Sequence, residues 1–269
     1  MTDLNNKIAV VTGAGSGIGR ATSIALAKKG CHLALVDINA DDLKETAELI
    51  SSTGQQTSQH VVDVSSKAAM EELPHEIIKE HGRINIIINN AGVEITKSFE
   101  EQSIDDIEWI VGINFWGVVY GCKFFLPFMR QESEAHIVNI SSMFGFYGVP
   151  AQSSYCATKF AVRGLTESLR SELHGSNVGV TCIHPGVINT NIMKNDRIVD
   201  SKLATTSEKL MKYMTSSETV ANKIVTAIEK NKRRVRVGPD SYLTDWLARS
   251  SPVILNMLTA TTRKLTGVK

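Results

Sequence analysis

The stretch Thr12-Gly13-Ala14-Gly15-Ser16-Gly17-Ile18-Gly19 follows a short apolar run, Ile8 to Val11, and precedes a helix-like pattern. Glycines in such a turn let the backbone bend sharply and let a pyrophosphate approach without a Cβ in the way. The N-terminus of the following helix then offers free N–H groups and a partial positive charge to an anion. Glycines also serve ordinary tight turns, so it is the strand–turn–helix context that favours a dinucleotide-binding turn.

Short β-branched runs alternate with helical patterns over the first two thirds of the chain. The runs are nearly continuous in apolar residues, which is typical of strands covered on both faces. Lys28-Lys29-Gly30 and Glu80-His81-Gly82 place basic residues at a helix end and glycine just beyond it. Repeated strand–helix–strand units require parallel pairing with right-handed crossovers, so we expect an α/β fold with a doubly wound sheet. The predicted strands are Ile8 to Val11, His32 to Val36, Val61-Val62, Ile84 to Ile88, Ile137 to Ile140, Val178 to Ile183 and Arg234 to Val237.

No repeat, Ser/Pro-rich linker or break in composition divides the 269 residues, so we expect one domain over 1–269. Residues 187–215 give no strand signal. Because this segment lies between the loop after Pro185-Gly186 and the next predicted helix, we expect it to fold over the binding crevice as a lid. A helix is predicted from near Ser217 to Lys232. The C-terminal extension, 239–269, contains an amphipathic stretch from Pro252 to Leu265. Packing on its own domain or on a neighbouring subunit is the favoured interpretation of that stretch, and a membrane anchor is the alternative.

Composition and charge exclude several classes of protein. Lys and Arg total 29 against 28 Asp and Glu, a formal charge of +1, whereas a nucleic-acid-binding protein usually carries a basic surplus. The seven histidines form no HxH or HExxH pattern, so no metal site is predicted. The four widely spaced cysteines form no CxxC pair and favour reduced thiols: Cys31, Cys122, Cys156 and Cys182.

No secretory signal is visible in the polar N-terminus. The most apolar later stretch, Ile107 to Met129, contains Glu108, Lys123 and Pro127. A bilayer span needs about 20 apolar residues with few charges, so this stretch predicts a long buried helix. These observations predict a cytoplasmic protein.

Two acidic positions follow predicted strands. Asp37 ends the second strand, about 20 residues after the glycines, where a carboxylate can accept hydrogen bonds from ribose hydroxyls and repel a 2′-phosphate. The alternative is that Asp37 merely begins the next helix, where Asn39 or Asp41 could also cap. We favour the ribose contact, and therefore NAD over NADP. Asp63-Val64 is placed at the end of the third strand, within reach of an adenine.

Tyr155 and Lys159 lie four residues apart, on one face of a helix predicted to begin near Ser153. This spacing lets the ammonium stabilise tyrosinate and lower the phenol pKa from about 10 toward the working pH. Such a pair occurs by chance in many helices, so its position carries more weight. The pair follows the predicted strand Ile137 to Ile140, which continues into Ser141-Ser142. The carboxyl end of this strand is expected to open onto the same crevice as the glycine-rich turn.

Taken together, these motifs resemble the short-chain dehydrogenase/reductase family over about residues 5 to 190. The resemblance implies a single Rossmann-type domain with a mainly seven-stranded parallel sheet, assembled as a homodimer or homotetramer. It rests on the glycine-rich turn at 12–19, Asn89-Asn90-Ala91-Gly92, Asn114, Ser142, Tyr155, Lys159 and Pro185-Gly186.

The resemblance also implies roles for individual residues. Tyr155 would be the general acid/base, Lys159 would lower its pKa and hold the nicotinamide ribose, and Ser142 would bind the substrate oxygen, with Ser141 as the structural alternate. Asn114 would hold a water linked to Lys159, although it could simply satisfy backbone groups, and Asn89-Asn90 could be only a turn. The positions implied to contact the cofactor are Gly13, Ser16, Gly17, Ile18, Gly19, Asp37, Asp63, Val64, Asn90, Gly92, Tyr155, Lys159, Pro185, Ile188 and Thr190.

The expected activity is hydride transfer between NAD(H) and an alcohol or ketone. Apolar residues after Ser142 and in the lid suggest a lipophilic secondary alcohol as substrate, unless they only pack within the lid. The alternatives are a 3-oxoacyl or sugar reductase of the same family and a dinucleotide-sensing module without turnover. The proposed pocket residues are Phe144, Phe146, Tyr147, Val149, Met193, Leu203, Leu210, Met211, Tyr213 and Met214.

Overall fold

The structure, a computed structural model, describes residues 3–188 and 215–266. Its centre is a seven-stranded sheet of order β3-β2-β1-β4-β5-β6-β7, in which every neighbouring pair is parallel. The strand order reverses between β1 and β4, which confirms the predicted α/β doubly wound fold and places a crevice at the carboxyl ends of these strands. The strands are β1 (Ile8–Thr12), β2 (His32–Asp37), β3 (Thr57–Val61), β4 (Ile86–Asn89), β5 (Ala135–Ile140), β6 (Val178–Pro185) and β7 (Arg234–Val237).

Helices cover both faces of this sheet. Alternate residues of β1 enter two separate apolar clusters, since Ala9 and Val11 pack in one and Ile8 and Val10 in the other. A strand buried on both faces reads as a continuous apolar run, which is why the sequence located β1 correctly. The helices are α1 (Gly17–Ala27), α2 (Ala40–Ser51), α3 (Lys67–His81), α4 (Ile104–Val111), α5 (Gly117–Met129), α6 (Ser153–Glu172), α7 (Ser217–Glu229), α8 (Pro239–Ser250) and α9 (Pro252–Thr266).

The third strand lies earlier than the sequence predicts. It runs over Thr57–Val61, whereas the apolar pair Val61-Val62 was expected to form it. Because β3 is an edge strand, Ser58 and His60 are buried while Gln59 and Val61 are exposed, so its pattern alternates and carries few apolar residues. Asp63 and Val64 therefore lie in the turn after β3, not at its end.

Helix ends follow local capping chemistry. The side chain of Asn39 accepts hydrogen bonds from the backbone N–H groups of Asp41 and Asp42 and caps α2. Gly82 ends α3 with a φ of +78°, which glycine adopts at little cost. The helix predicted from near Ser217 is α7, and it ends at Glu229, three residues before the predicted Lys232.

The apolar stretch before β5 forms one continuous helical segment. A π-helical turn, Gly112–Trp116, joins α4 to α5. By length and composition alone, Ile104–Met129 could cross a membrane. However, α5 packs on α3, β4 and β5, and Phe125 and Met129 are fully buried, as a core helix requires.

Most of the predicted lid, 187–215, lies outside the described residues, as do Thr190 and the lid methionines and leucines. At its two described ends, Ile188 forms a bridge with Thr215, and the Thr215 N–H donates to the Val187 carbonyl over 3.2 Å. The C-terminal extension forms α8 and α9, so the helix predicted over Pro252 to Leu265 is present.

Candidate functional site

The glycine-rich turn connects β1 to α1. Gly13 and Gly17 have φ angles of +66° and +51°, which side chains other than glycine rarely tolerate. A Cβ on Gly19 would overlap the carbonyl oxygen of Gly13, so α1 can approach the strand only with glycine there. Ser16 occupies the N-cap position of α1 without a side-chain capping bond, and the first turn of α1 has no acidic residue. The first N–H groups of α1 are therefore suited to an anion.

Thr12 and Asn90 fasten this turn to the end of β4. The Thr12 hydroxyl accepts hydrogen bonds from the N–H groups of Asn90 and Ala91, both at 3.0 Å. The Asn90 side-chain amide donates to the carbonyls of Thr12 and Gly13, at 2.9 and 3.3 Å. The structure thus brings Asn90 to the turn, as expected, and adds Thr12, which the sequence interpretation missed.

Asp37 faces the glycine-rich turn. Its carboxylate accepts hydrogen bonds from the Gly15 N–H at 2.9 Å and from the Asn39 N–H at 3.1 Å. Since Asn39 supplies the cap of α2, capping does not explain Asp37. The carboxylate therefore lies at the rim of the glycine-rich turn.

Asp63 and Val64 have local partners. The Asp63 carboxylate accepts hydrogen bonds from the N–H and hydroxyl of Ser65, at 2.9 and 2.7 Å. Val64 is buried, and its side chain lies close to Gly117. The hydrogen bonds of Asp63 stabilise the turn after β3, and Val64 packs in the core, so neither residue needs a cofactor contact to account for its position.

Tyr155 and Lys159 lie together on α6, and both are buried, with 8% and 4% exposure. The Lys159 Nζ lies 5.5 Å from the centre of the Tyr155 ring and donates to the Ile140 carbonyl at 3.2 Å. The Ser142 side chain is hydrogen-bonded to the Tyr155 phenol. The structure therefore assembles Ser142, Tyr155 and Lys159 at the carboxyl end of β5.

The two adjacent serines have different surroundings. The Ser141 hydroxyl donates to the Lys159 carbonyl at 2.8 Å, a contact that ties β5 to α6. The Ser142 hydroxyl accepts from the Phe144 N–H at 3.2 Å and also contacts Tyr155. Of the two serines, Ser142 lies beside the phenol, and Ser141 joins β5 to α6.

Asn114 lies in the π-helical turn, a distortion that often marks functional sites. Its side chain exchanges two hydrogen bonds of 2.8 Å with the backbone of Val93 and donates to the Thr158 hydroxyl at 3.3 Å. The side chain thus satisfies backbone groups, which was the simpler interpretation. A Cβ on Gly92 would lie 3.2 Å from Asn114 Oδ1 and 3.4 Å from Lys159 Nζ, so these two groups border the same small space.

The electrostatics of the pair differ from the expectation. Burial raises the pKa of Tyr155, the carboxylate of Glu94 raises it further, and the Ser142 hydrogen bond opposes both. Burial lowers the pKa of Lys159 to about 8. Burial therefore opposes the expected lowering of the phenol pKa by Lys159, because both groups are withdrawn from water and the ammonium lies over the ring.

The loop after β6 is held by a residue that the sequence interpretation missed. The Val187 N–H donates to the Asp240 carboxylate at 2.6 Å, and a Cβ on Gly186 would overlap that carboxylate. Pro185 ends β6, and Ile188 is buried. Asp240 follows Gly238-Pro239 at the start of α8, where an acidic residue also suits the helix dipole. Because the helix dipole alone explains an acidic residue at this position, nothing in the sequence indicated the contact between Asp240 and the loop after β6.

This arrangement can now be compared with known proteins. Residues 7–199 match the family model for the short chain dehydrogenases. The chain belongs to the short-chain dehydrogenase/reductase family. The resemblance stated from the motifs is confirmed, and the family identifies an oxidoreductase.

The similarity to known proteins covers between 70% and 95% of this short-chain dehydrogenase/reductase. SadH of Mycobacterium tuberculosis, which carries the provisional name of an oxidoreductase, is 39% identical over 254 residues, 93% of this chain and 92% of its own. The 3-oxoacyl-[acyl-carrier-protein] reductase FabG of Thermotoga maritima is 30% identical over 187 residues, 70% of this chain and 76% of its own. A short-chain dehydrogenase/reductase from Burkholderia phymatum, solved in complex with NAD, superimposes with a TM-score of 0.86 at 28% identity, covering 95% of this chain and 97% of that one.

The aromatic residues near Tyr155 in this short-chain dehydrogenase/reductase fall into two groups. The Phe144 ring makes edge contacts with Tyr155 and Tyr147, at centroid distances of 6.3 and 5.5 Å. Phe146 instead packs on His184 at 4.3 Å, between the guanidinium groups of Arg163 and Arg234. Phe144 and Tyr147 therefore remain candidate pocket residues, whereas packing accounts for Phe146.

Glu94 is a further polar group near Tyr155 and Lys159 that the sequence interpretation missed. Its carboxylate accepts a hydrogen bond from the Gln152 side chain, the residue before α6, and raises the pKa values of Tyr155 and Lys159. The one sequence feature that could have indicated Glu94 is its position two residues after Gly92, which belongs to the Asn89-Asn90-Ala91-Gly92 motif. Among the described residues, no group of three His, Cys, Asp or Glu side chains could hold a metal ion.

Proposed function

We propose that this protein is an NAD(H)-dependent oxidoreductase that interconverts a secondary alcohol and a ketone, with Tyr155 as the general acid/base. The observation that carries the proposal is the convergence of Tyr155, Lys159 and Ser142 at the carboxyl end of β5, in the sheet whose β1 end bears the glycine-rich turn. Ligands bind at this edge in doubly wound sheets.

The chain offers a suitable cradle for the dinucleotide. The uncapped N-terminus of α1 would bind the pyrophosphate, with Gly13, Ser16, Gly17, Ile18 and Gly19 around it. A bound nicotinamide supplies a hydride acceptor for oxidation and a hydride donor for reduction. The remaining residues proposed to hold the cofactor are Asp37, Asp63, Val64, Asn90, Gly92, Tyr155, Lys159, Pro185, Ile188 and Thr190.

Two features favour NAD over NADP. Asp37 places a carboxylate beside Gly15, where it suits ribose hydroxyls and repels a 2′-phosphate. Arg20, which follows the turn, is already held by Glu45 at 2.8 Å and by the Thr46 hydroxyl at 3.1 Å. The complex of the Burkholderia phymatum relative with NAD agrees with this preference.

Replacement of Asp37 by Ala tests the ribose contact. We expect the affinity for NAD to fall by about 10- to 100-fold, the usual value of hydrogen bonds to a charged group, and the preference over NADP to narrow. Dissociation constants for both cofactors provide the measurement. Asp41→Ala, an exposed carboxylate on α2, is the matched control. An unchanged ratio of the two constants in Asp37→Ala would contradict the assignment.

The proton chemistry belongs to Tyr155. In the oxidation, the phenolate oxygen accepts the hydroxyl proton of the substrate while the carbinol hydrogen leaves with its electron pair, and a ketone remains. In the reduction, the phenol returns that proton to the carbonyl oxygen. Ser142 positions the substrate oxygen, Lys159 supplies positive charge and holds the nicotinamide ribose, and Asn114 anchors the loop beside Lys159.

Phe144 and Tyr147 support an apolar substrate, because they form an aromatic wall next to the phenol. A lipophilic secondary alcohol or its ketone fits this wall. The second candidate is a 3-oxoacyl reductase, favoured by the similarity to FabG of Thermotoga maritima. Asp37 disfavours it where the reductant is NADPH.

A substrate screen tests the activity itself. Formation of NADH is measured with aliphatic, sterol, retinoid and polyol secondary alcohols, together with the reverse reaction on 3-oxoacyl thioesters. We expect turnover with lipophilic alcohols and NAD. Cofactor binding without turnover of any alcohol or ketone would indicate a sensing module instead.

The pH dependence tests the electrostatics of the site. The Glu94 carboxylate opposes ionisation of Tyr155, so Glu94→Gln is expected to lower the phenol pKa. Because oxidation requires the phenolate, the rising limb of kcat/KM against pH moves to lower pH, by about half a unit or more. Glu100→Gln, at an exposed glutamate, is the control. A profile that stays in place in Glu94→Gln would show that the carboxylate does not act on the phenol.

The assembly is proposed to be a homodimer or homotetramer of single-domain, cytoplasmic subunits. An aromatic ladder on one side of the long helical segment supports an interface there. Trp116 stacks on Tyr120 at 5.6 Å, and Tyr120 stacks on Phe124 at 5.7 Å. Trp116 and Phe160 of α6 are exposed in the isolated chain.

A further inference from the structure

The C-terminal helices expose a group of large apolar side chains. Six of them on α8 and α9 are between 51% and 65% exposed, and we call them the C-terminal apolar surface: Leu243, Trp246, Val253, Ile254, Met257 and Leu258. Leu255 of α9 is buried. The C-terminal helices therefore bury only part of their apolar side chains against their own domain. Packing on its own domain, one of the two favoured interpretations, accounts for Leu255 but not for the exposed side chains.

This surface is presented by an anchored helix. Asp245 of α8 forms ion pairs with Arg234 and Arg236 of β7, at 3.1 and 2.8 Å, and with Arg249 at 2.9 Å. The Asp245 carboxylate is almost fully buried, whereas the Arg249 side chain is exposed, so Asp245 is the shielded end of these pairs. Because these ion pairs attach α8 to β7 through Asp245, they also fix the positions of Leu243 and Trp246, which lie close to Asp245 in the sequence.

The charge of the segment distinguishes between two possible occupants. From Leu243 to Lys269 the sequence has one acidic residue, Asp245, which is ion-paired within the domain, and four basic ones, Arg249, Arg263, Lys264 and Lys269, although the whole chain carries only +1. A second copy docked symmetrically on this surface would place like charges together. An anionic lipid surface instead complements them, and Trp is a preferred residue at the boundary between lipid and water.

We propose that the C-terminal apolar surface docks on an anionic lipid bilayer, with α9 lying in the interface. The helix has 15 residues, whereas a span needs about 20, so it is too short to cross the bilayer. Basic residues combined with exposed Trp, Leu, Ile and Met side chains are typical of helices that lie in the interfacial plane. The sequence analysis favoured packing of this stretch on its own domain or on a neighbouring subunit, and the excess of basic residues is the reason for preferring a lipid surface here.

Docking would also orient the crevice. Asp240, at the start of α8, binds the Val187 N–H in the loop after β6, so the docked helices adjoin the candidate active site. This consequence rests on the proposed function. Anionic vesicles are then expected to raise the rate of oxidation of a membrane-dissolved alcohol and to leave the rate with a water-soluble alcohol unchanged.

Sedimentation with vesicles tests the docking without any activity. The full chain is mixed with vesicles of phosphatidylcholine alone or with added phosphatidylglycerol. We expect binding to the anionic vesicles that weakens with added salt, and much less binding to the neutral ones. The double variant Ile254→Glu/Met257→Glu is expected to lower the bound fraction about tenfold. Phe99→Glu, at another exposed apolar residue, is the control and is expected to bind normally.

Other outcomes overturn the proposal. Absence of binding to anionic vesicles, or equal binding of the wild type and the double variant, contradicts lipid docking. If the wild type fails to sediment and the double variant lowers the oligomeric mass in light scattering, the surface is a contact between copies of this chain. Cofactor binding by the double variant verifies that it is folded.

Discussion

Tyr155→Phe is expected to lower kcat by about 10²- to 10⁴-fold, the usual contribution of a positioned general acid/base. The variant removes only the phenol oxygen, and Phe can keep the edge contact that the ring makes with Phe144. Affinity for the cofactor is therefore expected to stay nearly unchanged. Steady-state kinetics with a substrate from the screen and fluorescence titration with NADH measure the two quantities.

Tyr147→Phe is the matched control for this prediction. Tyr147 contacts the same Phe144 ring, and burial raises its pKa to about 12, but no proton transfer is assigned to it. We expect its kcat to remain close to that of the wild type, with any change confined to KM. A fully active Tyr155→Phe enzyme would remove the proposed acid/base.

Gly19→Ala is the second large effect. The added methyl group would overlap the Gly13 carbonyl oxygen and would lie 2.7 Å from the Asn90 side-chain nitrogen, so the turn must open or α1 must shift. We expect a loss of about 1–3 kcal/mol in the free energy of unfolding, as in overpacked cores. Cofactor affinity is expected to fall with it, because the N–H groups of the turn move. Thermal unfolding and NADH titration measure both effects.

Gly164→Ala on α6 is the control, since a Cβ there meets nothing within 4 Å. Alanine in an exposed helix position is expected to stabilise the protein by up to about 1 kcal/mol relative to glycine. Wild-type stability and NADH affinity in Gly19→Ala would show that close packing at Gly19 is not required.

Much of the fold was predictable because its signals are local. Strand β1 is buried on both faces and reads as a continuous apolar run, and the glycine-rich turn follows it directly. Strand β3 was displaced in the prediction because an edge strand buries alternate residues, and its own sequence, TSQHV, is mostly polar. The spacing of Tyr155 and Lys159 likewise predicted their shared helix face correctly.

Other features of the site depend on residues far apart in the chain. Glu94 reaches Gln152 from the loop after β4, and Asp240 reaches Val187 from the start of α8. Neither contact has a local pattern that would predict it. Within the lid, Thr190 and the proposed methionines and leucines lie outside the described residues, so their roles remain predictions.

The sequence by itself determined the doubly wound fold, the glycine-rich turn between β1 and α1 and the shared helix of Tyr155 and Lys159, because each depends on periodicity or spacing within a few residues. Only the tertiary structure decided the direction of the phenol pKa. Burial of Tyr155 depends on how α6 packs on β5, and the Glu94 carboxylate comes from the loop after β4. Free energies of desolvation and Coulomb interaction follow distance in space, which the order of residues does not specify.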